Sequence, residues 1–371
     1  MTFRVVKSHG APIADTISTV YITLTVLKYL TGLTLGLVLY CEWFIYIAQP
    51  LFWNKLTCDN SIKNDRCTKI LFISDPQIQG DNAVPSPIGD ILNWDSDRYL
   101  QSTYRVVMKQ FKPDIIVFMG DLMDEGSVAT IQQFHGYVKR LSNIFDTSYP
   151  VVQIWIPGDN DIGGENEVVK PDKVLEFNKV FSQPSVISYN NISFYKVNAI
   201  THSIPQPLDE GDLNYKIAIS HFPVLTRTAY AKKVINALQP DIFFCAHDHV
   251  SKYVQHQHDF VKSRTHLLQY KDPVLVLPLE NNESIYEIYT PTCSYRMGTF
   301  KIGFGAAVID NDHLKYTVFW SPLRFPCLFV YLLLSIIVFG YTLFICFMRL
   351  FSRLCHHLPD SEDTKRLLPQ V

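Results

Sequence analysis

The sequence predicts a layered α/β domain with an apolar helix near each end. From Thr68 onward, short β-rich segments alternate with helical stretches, which is typical of layered α/β folds. Two apolar segments, one near each terminus, are long enough to cross a bilayer as helices. At 371 residues, the chain accommodates one large domain plus these accessory segments.

The overall composition argues against a nucleic-acid partner. Lys and Arg number 33 against 35 Asp and Glu, so the formal net charge is −2 at pH 7. Nucleic-acid-binding domains need a basic surface, which this balance does not supply. Hydrophobic residues make up 47% of the chain, and the mean hydropathy is +0.06. These values are high for a soluble enzyme and indicate a membrane protein.

The first apolar segment, residues 29–53, is predicted to be a transmembrane helix. It contains Glu42, and an ionisable group within a span is costly unless it is paired or lies near an interface. A cleavable signal peptide is the alternative interpretation. The segment is longer than a signal-peptide core and offers no small-residue cleavage site after Glu42, which favours an uncleaved anchor.

The second apolar segment, residues 325–348, contains no charged side chain and is also predicted to span the membrane. Cytoplasmic flanks of such helices tend to be rich in Lys and Arg, which predicts cytoplasmic tails at residues 1–28 and 349–371. The basic residues that support this orientation are Arg4, Lys7, Arg349, Arg353, Lys365 and Arg366. The basic residues on the opposite flank, which weaken the argument, are Lys55, Lys63, Arg66 and Lys69.

This topology predicts that the domain at residues 68–320 faces a lumenal or extracellular space. Asn191 and Asn282 begin N-x-S sequons that could accept glycans there. Cys58 and Cys67 are close enough in sequence to pair in an oxidising lumen, although their spacing alone does not establish a disulfide.

Seven β-rich segments are predicted to form strands. The first five are apolar and typical of buried strands, and they cover residues 69–74, 114–119, 151–156, 215–220 and 241–245. Residues 302–309 and 314–320 flank a polar turn and predict a hairpin that closes the second sheet.

Helical patterns and loops fill the intervals between these strands. The predicted helices cover residues 96–111, 129–144, 172–181 and 227–238. The predicted loops cover residues 78–94, 201–214 and 255–272. The first of these loops contains several Pro and Gly residues and is expected near the mouth of an active site.

Potential metal ligands follow each of the first five strands directly. In chain order they are Asp75 and Gln77, Asp121, Asp159, His221, and His247 with His249. Open α/β sheets place ligand sites at the carboxyl ends of their strands, so these segments are expected to converge on one crevice. A single Asp after a strand is most often a helix cap or turn residue. Capping needs no histidine, so the ordered set favours a metal site.

In order, these segments resemble the calcineurin-like metallophosphoesterase signature of D-x-H, GD-x-x-D, GN-H-D/E, H and GH-x-H. The resemblance covers about residues 69–320. It implies a four-layer α/β/β/α sandwich of two mixed sheets. It also implies a phosphoric ester hydrolase that uses two divalent metal ions and needs no protein nucleophile.

Seven residues take the ligand positions of that family. One ion would be held by Asp75, Gln77, Asp121 and His249, and the other by Asp121, Asp159, His221 and His247. Asp121 would therefore bridge both ions. The residues that the resemblance assigns to catalysis are Asp121, Asn160 and His247, while Asp124 and Asp161 would orient ligands through hydrogen bonds.

Three positions depart from the family pattern in their chemistry. Gln77 replaces a histidine, Asp159 an asparagine and Asn160 a histidine, whereas Ala246 for glycine is a minor change. The first two exchanges remove an imidazole and add a carboxylate, which favours Mn²⁺ over Zn²⁺. Asn160 cannot give up a proton at ordinary pH, so the metal ions are expected to supply most of the catalysis.

The two apolar segments, with residues 159–165 and 295–298, resemble the membrane-anchored branch of the family. The resemblance implies removal of ethanolamine phosphate from a mannose of glycosylphosphatidylinositol (GPI) anchors. The substrate would be GPI-anchored proteins or the GPI glycolipid, and the reaction would aid the transport of GPI-anchored proteins. The implied location is the endoplasmic reticulum, its exit sites or the Golgi. Two alternatives stay open: another lumenal phosphoester, or a catalytically weak metal-binding cargo adaptor.

Overall fold

The computed structural model describes residues 11–58, 67–165, 167–207, 215–257, 262–279, 284–310 and 312–356. The described chain divides into two compact units. The larger unit is Ile45–Leu323, and the smaller unit consists of the described residues up to Phe44 and from Arg324 onward.

The larger unit contains two β-sheets, whose described strands are named here in chain order. They are β1 (Thr68–Ile73), β2 (Ile115–Phe118), β3 (Val152–Trp155), β4 (Val186–Tyr189), β5 (Ile192–Lys196), β6 (Tyr215–Ile219), β7 (Ile242–Cys245), β8 (Lys252–Gln257), β9 (Ser263–Leu267), β10 (Leu275–Pro278), β11 (Ser284–Tyr289), β12 (Gly303–Asp310) and β13 (His313–Trp320). All five strands predicted from apolar segments are present, as β1, β2, β3, β6 and β7.

Helices lie between the strands and near both ends of the chain. They are α1 (Ala11–Leu39), α2 (Ile45–Ala48), α3 (Ile88–Phe111), α4 (Ile131–Ile144), α5 (Asp159–Ile162), α6 (Pro171–Val180), α7 (Thr228–Leu238) and α8 (Phe325–His356). A π-helical turn at Tyr40–Phe44 and a 3-10 turn at Gln49–Phe52 flank α2. The start of α4 has a capping box, in which Thr130 and Gln133 satisfy each other's backbone N–H groups.

Both sheets are mixed, as the sequence resemblance implied. The six-stranded sheet has the order β10-β13-β12-β1-β2-β3, and the seven-stranded sheet has the order β4-β5-β6-β7-β11-β8-β9. Parallel strands are adjacent in each sheet: β1-β2-β3 form one side of the six-stranded sheet, with β3 at its edge, and β5-β6-β7-β11 form the middle of the seven-stranded sheet. The carboxyl ends of these parallel strands therefore share an edge within each sheet.

The core lies where the inner faces of the two sheets pack together. Phe72 of β1 stacks on Phe244 of β7 with ring centroids 4.2 Å apart, and both side chains are almost fully buried. Ile70, Ile217 and Ile219 belong to the same apolar cluster. Aromatic and aliphatic burial of this kind supplies most of the stabilisation of such an interface and aligns the two sheets.

Two of the predicted loops were partly wrong. Residues 88–94 belong to α3, because Pro87 stands directly before the first helical turn, where proline is compatible with a helix. Residues 263–267 form β9, an edge strand whose side chains are all exposed. Its polar sequence suits a solvated edge and gives no apolar alternation to detect. Residues 208–214 of the second predicted loop and 258–261 of the third lie outside the described residues, as does Asn282.

The C-terminal hairpin exists but joins a different sheet from the one predicted. β12 pairs antiparallel with β1, with Thr68 opposite Ile309, so the hairpin lies in the six-stranded sheet that contains the first three strands. Every residue of β12 is buried, which matches a strand placed inside a sheet.

Two helical segments are long and apolar enough to cross a membrane, by length and composition alone. They are Tyr21–Phe52, with 32 residues and a mean hydropathy of 1.7, and Phe325–Phe351, with 27 residues and a mean hydropathy of 2.5. Both overlap the predicted spans at residues 29–53 and 325–348. The first is longer toward its N-terminal side than the sequence suggested.

Glu42, the charged residue within the first apolar segment, has partners in the smaller unit. Its Oε1 accepts hydrogen bonds from Arg324 Nη1 at 2.9 Å and from the Tyr331 hydroxyl at 2.7 Å. The Arg324 side chain is only 3% exposed. An ionisable group among apolar helices requires such a partner, and this pair joins the N-terminal helical segment to α8.

A disulfide links Cys58 and Cys67, whose Cα atoms are 6.0 Å apart. It lies in the segment between the first apolar helix and β1. Disulfides persist in oxidising compartments and are rare in the cytosol.

Candidate metal centre

The ligand candidates that follow the parallel strands meet at one edge of the sandwich. Asp75, Asp121 and Asp159 follow β1, β2 and β3 of one sheet, and His221, His247 and His249 follow β6 and β7 of the other. They form two groups with metal-binding geometry: Asp75 with Asp121 and His249, and Asp159 with His221 and His247. Within each group, the ligand atoms lie within 4.8 Å of one another.

The group around Asp159 is closely packed. The Asp159 Oδ1 atom is 3.0 Å from His221 Nε2 and 3.3 Å from His247 Nδ1. His221 Nε2 is also 3.4 Å from Oδ1 of Asp121, which belongs to the first group. Asp121 therefore lies within reach of both groups.

Asp75 provides the strongest test of whether a cation fits the site. Its side chain is fully buried, and neither carboxylate oxygen accepts a hydrogen bond from any described residue. A buried carboxylate without hydrogen bonds is highly unfavourable unless a positive charge lies next to it. The residues of the site therefore fit a bound cation.

The electrostatics of the crevice point the same way. Burial raises the pKa of Asp75 well above its ordinary value, and the nearby charges of Asp121 and Asp159 raise it further, against a lowering effect from His221. Burial, with the neighbouring His221 and His247, lowers the pKa of His249 to about 4. His249 is therefore neutral at pH 7, which is the form of imidazole that binds metals.

The tautomer of His221 follows from its hydrogen bond to the backbone. Its Nδ1 atom is 2.8 Å from the carbonyl oxygen of Met119, which can only accept, so Nδ1 carries the proton. Despite its burial, the carboxylates of Asp121, Asp159 and Asp75 raise the pKa of His221 to about 10, so Nε2 is also protonated and donates to Asp159. A cation bound between these groups would take the place of that proton. Metal-binding histidines are commonly fixed by a carbonyl partner in this way.

The backbone at the site adopts conformations that non-glycine residues rarely occupy. Five candidate ligands have positive φ: Asp75 (47°), Gln77 (42°), Asp121 (50°), His247 (66°) and His249 (57°). Left-handed conformations of such residues are costly and tend to cluster at functional sites. The turns after β1, β2 and β7 are therefore strained where the side chains converge.

Two glycines allow the strands to come this close together. A Cβ atom on Gly158 would lie 2.1 Å from Asp121 Oδ1, and a Cβ atom on Gly120 would lie 2.7 Å from the nitrogen of Gly158. Gly120 also has φ of +90°. A side chain at either position would displace Asp121 from the place where the two groups meet.

The sequence profile of the family described as calcineurin-like phosphoesterase matches residues 68–251. This range includes both groups of ligand candidates. The chain contains a calcineurin-like phosphoesterase domain. The domain is thus a phosphoester hydrolase, and its family binds divalent metals at a dinuclear site.

Curated relatives of this phosphoesterase carry the name Metallophosphoesterase 1. The protein from Ailuropoda melanoleuca is 27% identical over 175 residues, covering 46% of this chain and 43% of the relative. The protein from Danio rerio is 28% identical over 167 residues, covering 43% and 41%. The matches therefore span less than half the length of these relatives. A crystal structure of a metallophosphoesterase from Sphaerobacter thermophilus aligns over 67% of this chain and 87% of that chain, with 14% identity and a TM-score of 0.34.

Gln77 and Asn160, two departures from the family pattern, both contact Asp121. Gln77 Nε2 donates to Asp121 Oδ2 at 3.0 Å and is 3.5 Å from His249 Nε2. The backbone nitrogen of Asn160 donates to Asp121 Oδ1 at 2.9 Å, and its Nδ2 donates to Oδ2 at 2.8 Å. The substituted residues therefore lie at the site and hold its central carboxylate.

Asp161 organises the surrounding loops of the phosphoesterase domain. Its buried carboxylate accepts hydrogen bonds from the backbone nitrogens of Gly158, Leu122 and Met123 at 2.9, 3.2 and 3.1 Å. Burial, with a smaller contribution from Asp121, raises its pKa to about 7. The turn after β2 is thereby joined to the turn after β3.

Asp124 and Arg296 form a second support. Arg296 Nη2 donates to Asp124 Oδ2 at 2.8 Å, and Arg296 Nη1 donates to the carbonyl oxygen of Gln77 at the same distance. The guanidinium group thus stabilises the turn that carries Gln77. This position differs from the phosphate contact that an arginine near the site can also make.

Sequence patterns did not identify two further contributors. Glu287 on β11 is fully buried and accepts hydrogen bonds from the backbone nitrogens of Val224 and Leu225 at 2.6 and 3.3 Å, which fixes the loop after His221. Glu165 Oε1 lies 3.6 Å from His247 Nε2. Glu287 sits in an apolar strand far along the chain from the loop that it contacts, so only pairing in space reveals it.

We expect Asp161→Asn to destabilise the domain and weaken metal binding. The amide would present an N–H group to backbone N–H donors, and leaving such buried groups unpaired costs about 1–3 kcal/mol. Loss of an orienting residue typically reduces metal affinity roughly 10- to 100-fold. Thermal unfolding and metal titration of the full chain would measure both effects. Asp146→Asn, at an exposed loop position, is the matched control and should change neither. Unchanged metal affinity in Asp161→Asn would contradict this role.

Proposed function

We propose that this protein is a metal-dependent phosphodiester hydrolase that removes ethanolamine phosphate from a mannose of GPI anchors. The observation that carries the hydrolase assignment is the placement of Asp121 between two groups of ligands, beside the unpaired buried carboxylate of Asp75. One carboxylate shared by two groups is the arrangement that a pair of divalent ions needs.

The proposed ligands divide between two ions. Asp75, Gln77, Asp121 and His249 bind one, and Asp121, Asp159, His221 and His247 bind the other. The side chains of Asp75 and His221 are buried, whereas those of His247 and His249 are 24% and 26% exposed. The site therefore opens toward solvent on the histidine side. Ligation by Gln77 requires its amide to flip, so that Oε1 rather than Nε2 faces Asp121 and His249.

When bound, two divalent ions polarise the phosphodiester and activate water for in-line attack. The protein positions the ligands and holds their protonation states. Asn160 donates two hydrogen bonds to Asp121 and fixes the direction of its oxygens. The carbonyl oxygen of Met119 holds a proton on Nδ1 of His221, which leaves Nε2 as the ring nitrogen that would bind an ion. No protein nucleophile is needed.

We favour Mn²⁺ as the ion. Gln77 and Asp159 make the site richer in oxygen donors than the family pattern, and hard ions prefer oxygen ligands. The carboxylates of Asp75, Asp121 and Asp159 at the centre also suit an ion that prefers charged oxygen ligands over sulfur or nitrogen ligands.

The proposed substrate rests on the sequence resemblance to the GPI-processing branch and on the two candidate membrane spans. A phosphoesterase held at a membrane surface is suited to a substrate that is itself linked to lipid. The relatives named Metallophosphoesterase 1 match only part of the chain, and that name specifies no substrate. The substrate would be a GPI-anchored protein or the free GPI glycolipid.

We further propose that residues 68–320 face the lumen of the endoplasmic reticulum, its exit sites or the Golgi, with both tails cytoplasmic. The basic residues beside the apolar helices support this orientation. The disulfide between Cys58 and Cys67 supports an oxidising compartment on the same side as the domain.

The first prediction from the proposed function concerns metal content. Purified full-length protein should contain two divalent ions per chain, and Mn²⁺ should restore activity after chelation better than Zn²⁺. Asp121→Asn should reduce both metal content and hydrolysis most strongly, because Asp121 belongs to both groups. Elemental analysis combined with a phosphodiesterase assay would test this. A fully active preparation with one ion per chain would refute the two-ion assignment.

The second prediction separates orientation from ligation at the site. Asn160→Ala should lower kcat moderately, by roughly 10- to 100-fold, because it removes one hydrogen bond to Asp121 and no ligand. Asp159→Ala and His247→Ala should nearly abolish turnover through loss of metal. Measurement of kcat and bound metal in all three variants would check this. If Asn160→Ala lost as much activity as the other two while keeping both ions, Asn160 would be a central catalytic group.

The third prediction concerns topology. In sealed microsomes, the domain should resist added protease, and Asn191 should accept a glycan that glycosidase removes. Asn191→Gln should reduce the mobility shift, and the double variant with Asn282→Gln should abolish it, without altering protease protection. If the protease digested the domain and left the tails intact, the orientation would be the opposite of the one proposed.

The fourth prediction tests the substrate. Cells that lack the gene should accumulate GPI anchors with an additional ethanolamine phosphate, and wild-type protein should reverse this. The Asp121→Asn variant should fail to reverse the accumulation if hydrolysis is required. This result would separate hydrolysis from a cargo-binding role. Normal GPI anchors in the gene-deleted cells, together with metal-dependent hydrolysis of a generic phosphodiester, would indicate another phosphoester substrate.

A further inference from the structure

A cavity of about 520 Å³ opens beside the candidate metal centre, with His221 in its wall. This volume is suited to a small ligand or to one moiety of a larger substrate. Its wall combines apolar and polar side chains from several elements, including Trp155, Phe177, Gln183, Lys196, Asn198 and His221. The cavity therefore adjoins the place where the scissile phosphodiester would lie.

Lys196 occupies an unusual position in this cavity, at the carboxyl end of β5. In the parallel pairing of β5 with β6, Lys196 lies opposite Ile219. Phe194, two residues before Lys196, and Ile219 both belong to the core between the sheets. Side chains alternate along a strand, so Lys196 lies on the same inner face as Phe194. It is a lysine at the mouth of the sandwich, where the core ends and the cavity begins.

The strand register also places Lys196 close to the metal centre. His221 is two residues beyond Ile219 and lies just past the end of the adjacent strand. Strand spacing and rise put the Cα atoms of Lys196 and His221 about 8 Å apart. Lys196 therefore lies near one of the candidate metal ligands.

Lys196 has no anionic partner among the described residues that line the cavity. None of the lining residues is Asp or Glu, and His221 is the only other titratable one. Burial alone lowers the pKa of Lys196 to about 8, with no carboxylate to offset it. The side chain is therefore still protonated at pH 7. A largely buried cation without a counterion is unfavourable, and an anion bound in the cavity would relieve this.

We propose that Lys196 binds a second anionic group of the substrate, such as a phosphate, on the moiety that occupies the cavity. This inference rests on the proposed hydrolase function, since it places the scissile phosphodiester beside His221. It makes Lys196 a specificity residue. Phosphodiesters with a second negative charge are preferred over otherwise identical ones without it.

Two synthetic substrates test the proposal with metal-loaded, full-length protein. One is the p-nitrophenyl phosphodiester of glycerol, and the other carries an added phosphate monoester on the terminal glycerol hydroxyl. Lys196→Met should raise KM for the second substrate by roughly tenfold or more, since a hydrogen bond to a charged group contributes about 1.5–3 kcal/mol. Its KM for the first substrate should stay unchanged. Lys196→Arg should retain the preference, and Lys233→Met, on the exposed face of α7, should behave like the wild type.

An equal rise of KM for both substrates, or no rise for either, would overturn the proposal.

A binding measurement separates this inference from the hydrolase assignment. After chelation of metals, full-length protein should bind glycerol 3-phosphate but not glycerol in calorimetric titrations, and Lys196→Met should lose that binding. Failure of the wild type to hydrolyse either diester with any divalent ion would refute the proposed function, while the titration would still decide the role of Lys196. Equal binding by wild type and Lys196→Met would refute the anion site.

Discussion

The carboxylate of Asp121 is the point on which the arrangement of this site depends. It is 2% exposed and receives hydrogen bonds from Gln77, after β1, and from Asn160, after β3. It also lies 3.4 Å from His221, which follows β6 of the other sheet. One side chain thus joins loops from both sheets, and Gly158 permits the close approach because any Cβ there would collide with it.

Such convergence is energetically costly without a bound cation. Asp75 has no hydrogen-bond partner among the described residues, and its neighbours Asp121 and Asp159 are also carboxylates. Several ligand candidates adopt left-handed backbone conformations, each of which costs free energy that the rest of the fold must offset. The packed sheets beneath hold these turns in place. Divalent ions between the carboxylates would remove the repulsion, which agrees with the dinuclear sites of the calcineurin-like family.

The surroundings of the site restrict how a substrate can enter. Asp75 and His221 form its buried floor, whereas His247 and His249 border solvent. The ring of Phe222 packs against His247 with centroids 4.3 Å apart, which limits the movement of the imidazole. The cavity with Lys196 lies to one side of this floor. The proposed anion site at Lys196 would then bind a substituent of the phosphoester, apart from the ions that act on its phosphorus.

The amino-acid sequence by itself determined the central strands and the residues that end them. Apolar segments terminated by Asp or His are local patterns, and parallel strands bring their carboxyl ends to one edge whatever the rest of the fold. This was enough to place Asp75, Asp121 and Asp159 at one edge, whereas the packing of the two sheets brings His221 of the other sheet to them. The β9 strand escaped prediction because an exposed edge strand needs no apolar pattern.

Only the tertiary structure decided which of these residues touch and which charges stay unpaired. The pairing of Glu42 with Arg324 and the support of the His221 loop by Glu287 join residues distant in the chain. The absence of a carboxylate beside Lys196 among the described residues of the cavity depends on the same packing. The same holds for the hydrogen bond that Asn160 Nδ2 donates to Asp121 Oδ2. Local sequence sets secondary structure through backbone preference and apolar periodicity. Contacts between distant residues arise from the packing of the sheets, which no local pattern encodes.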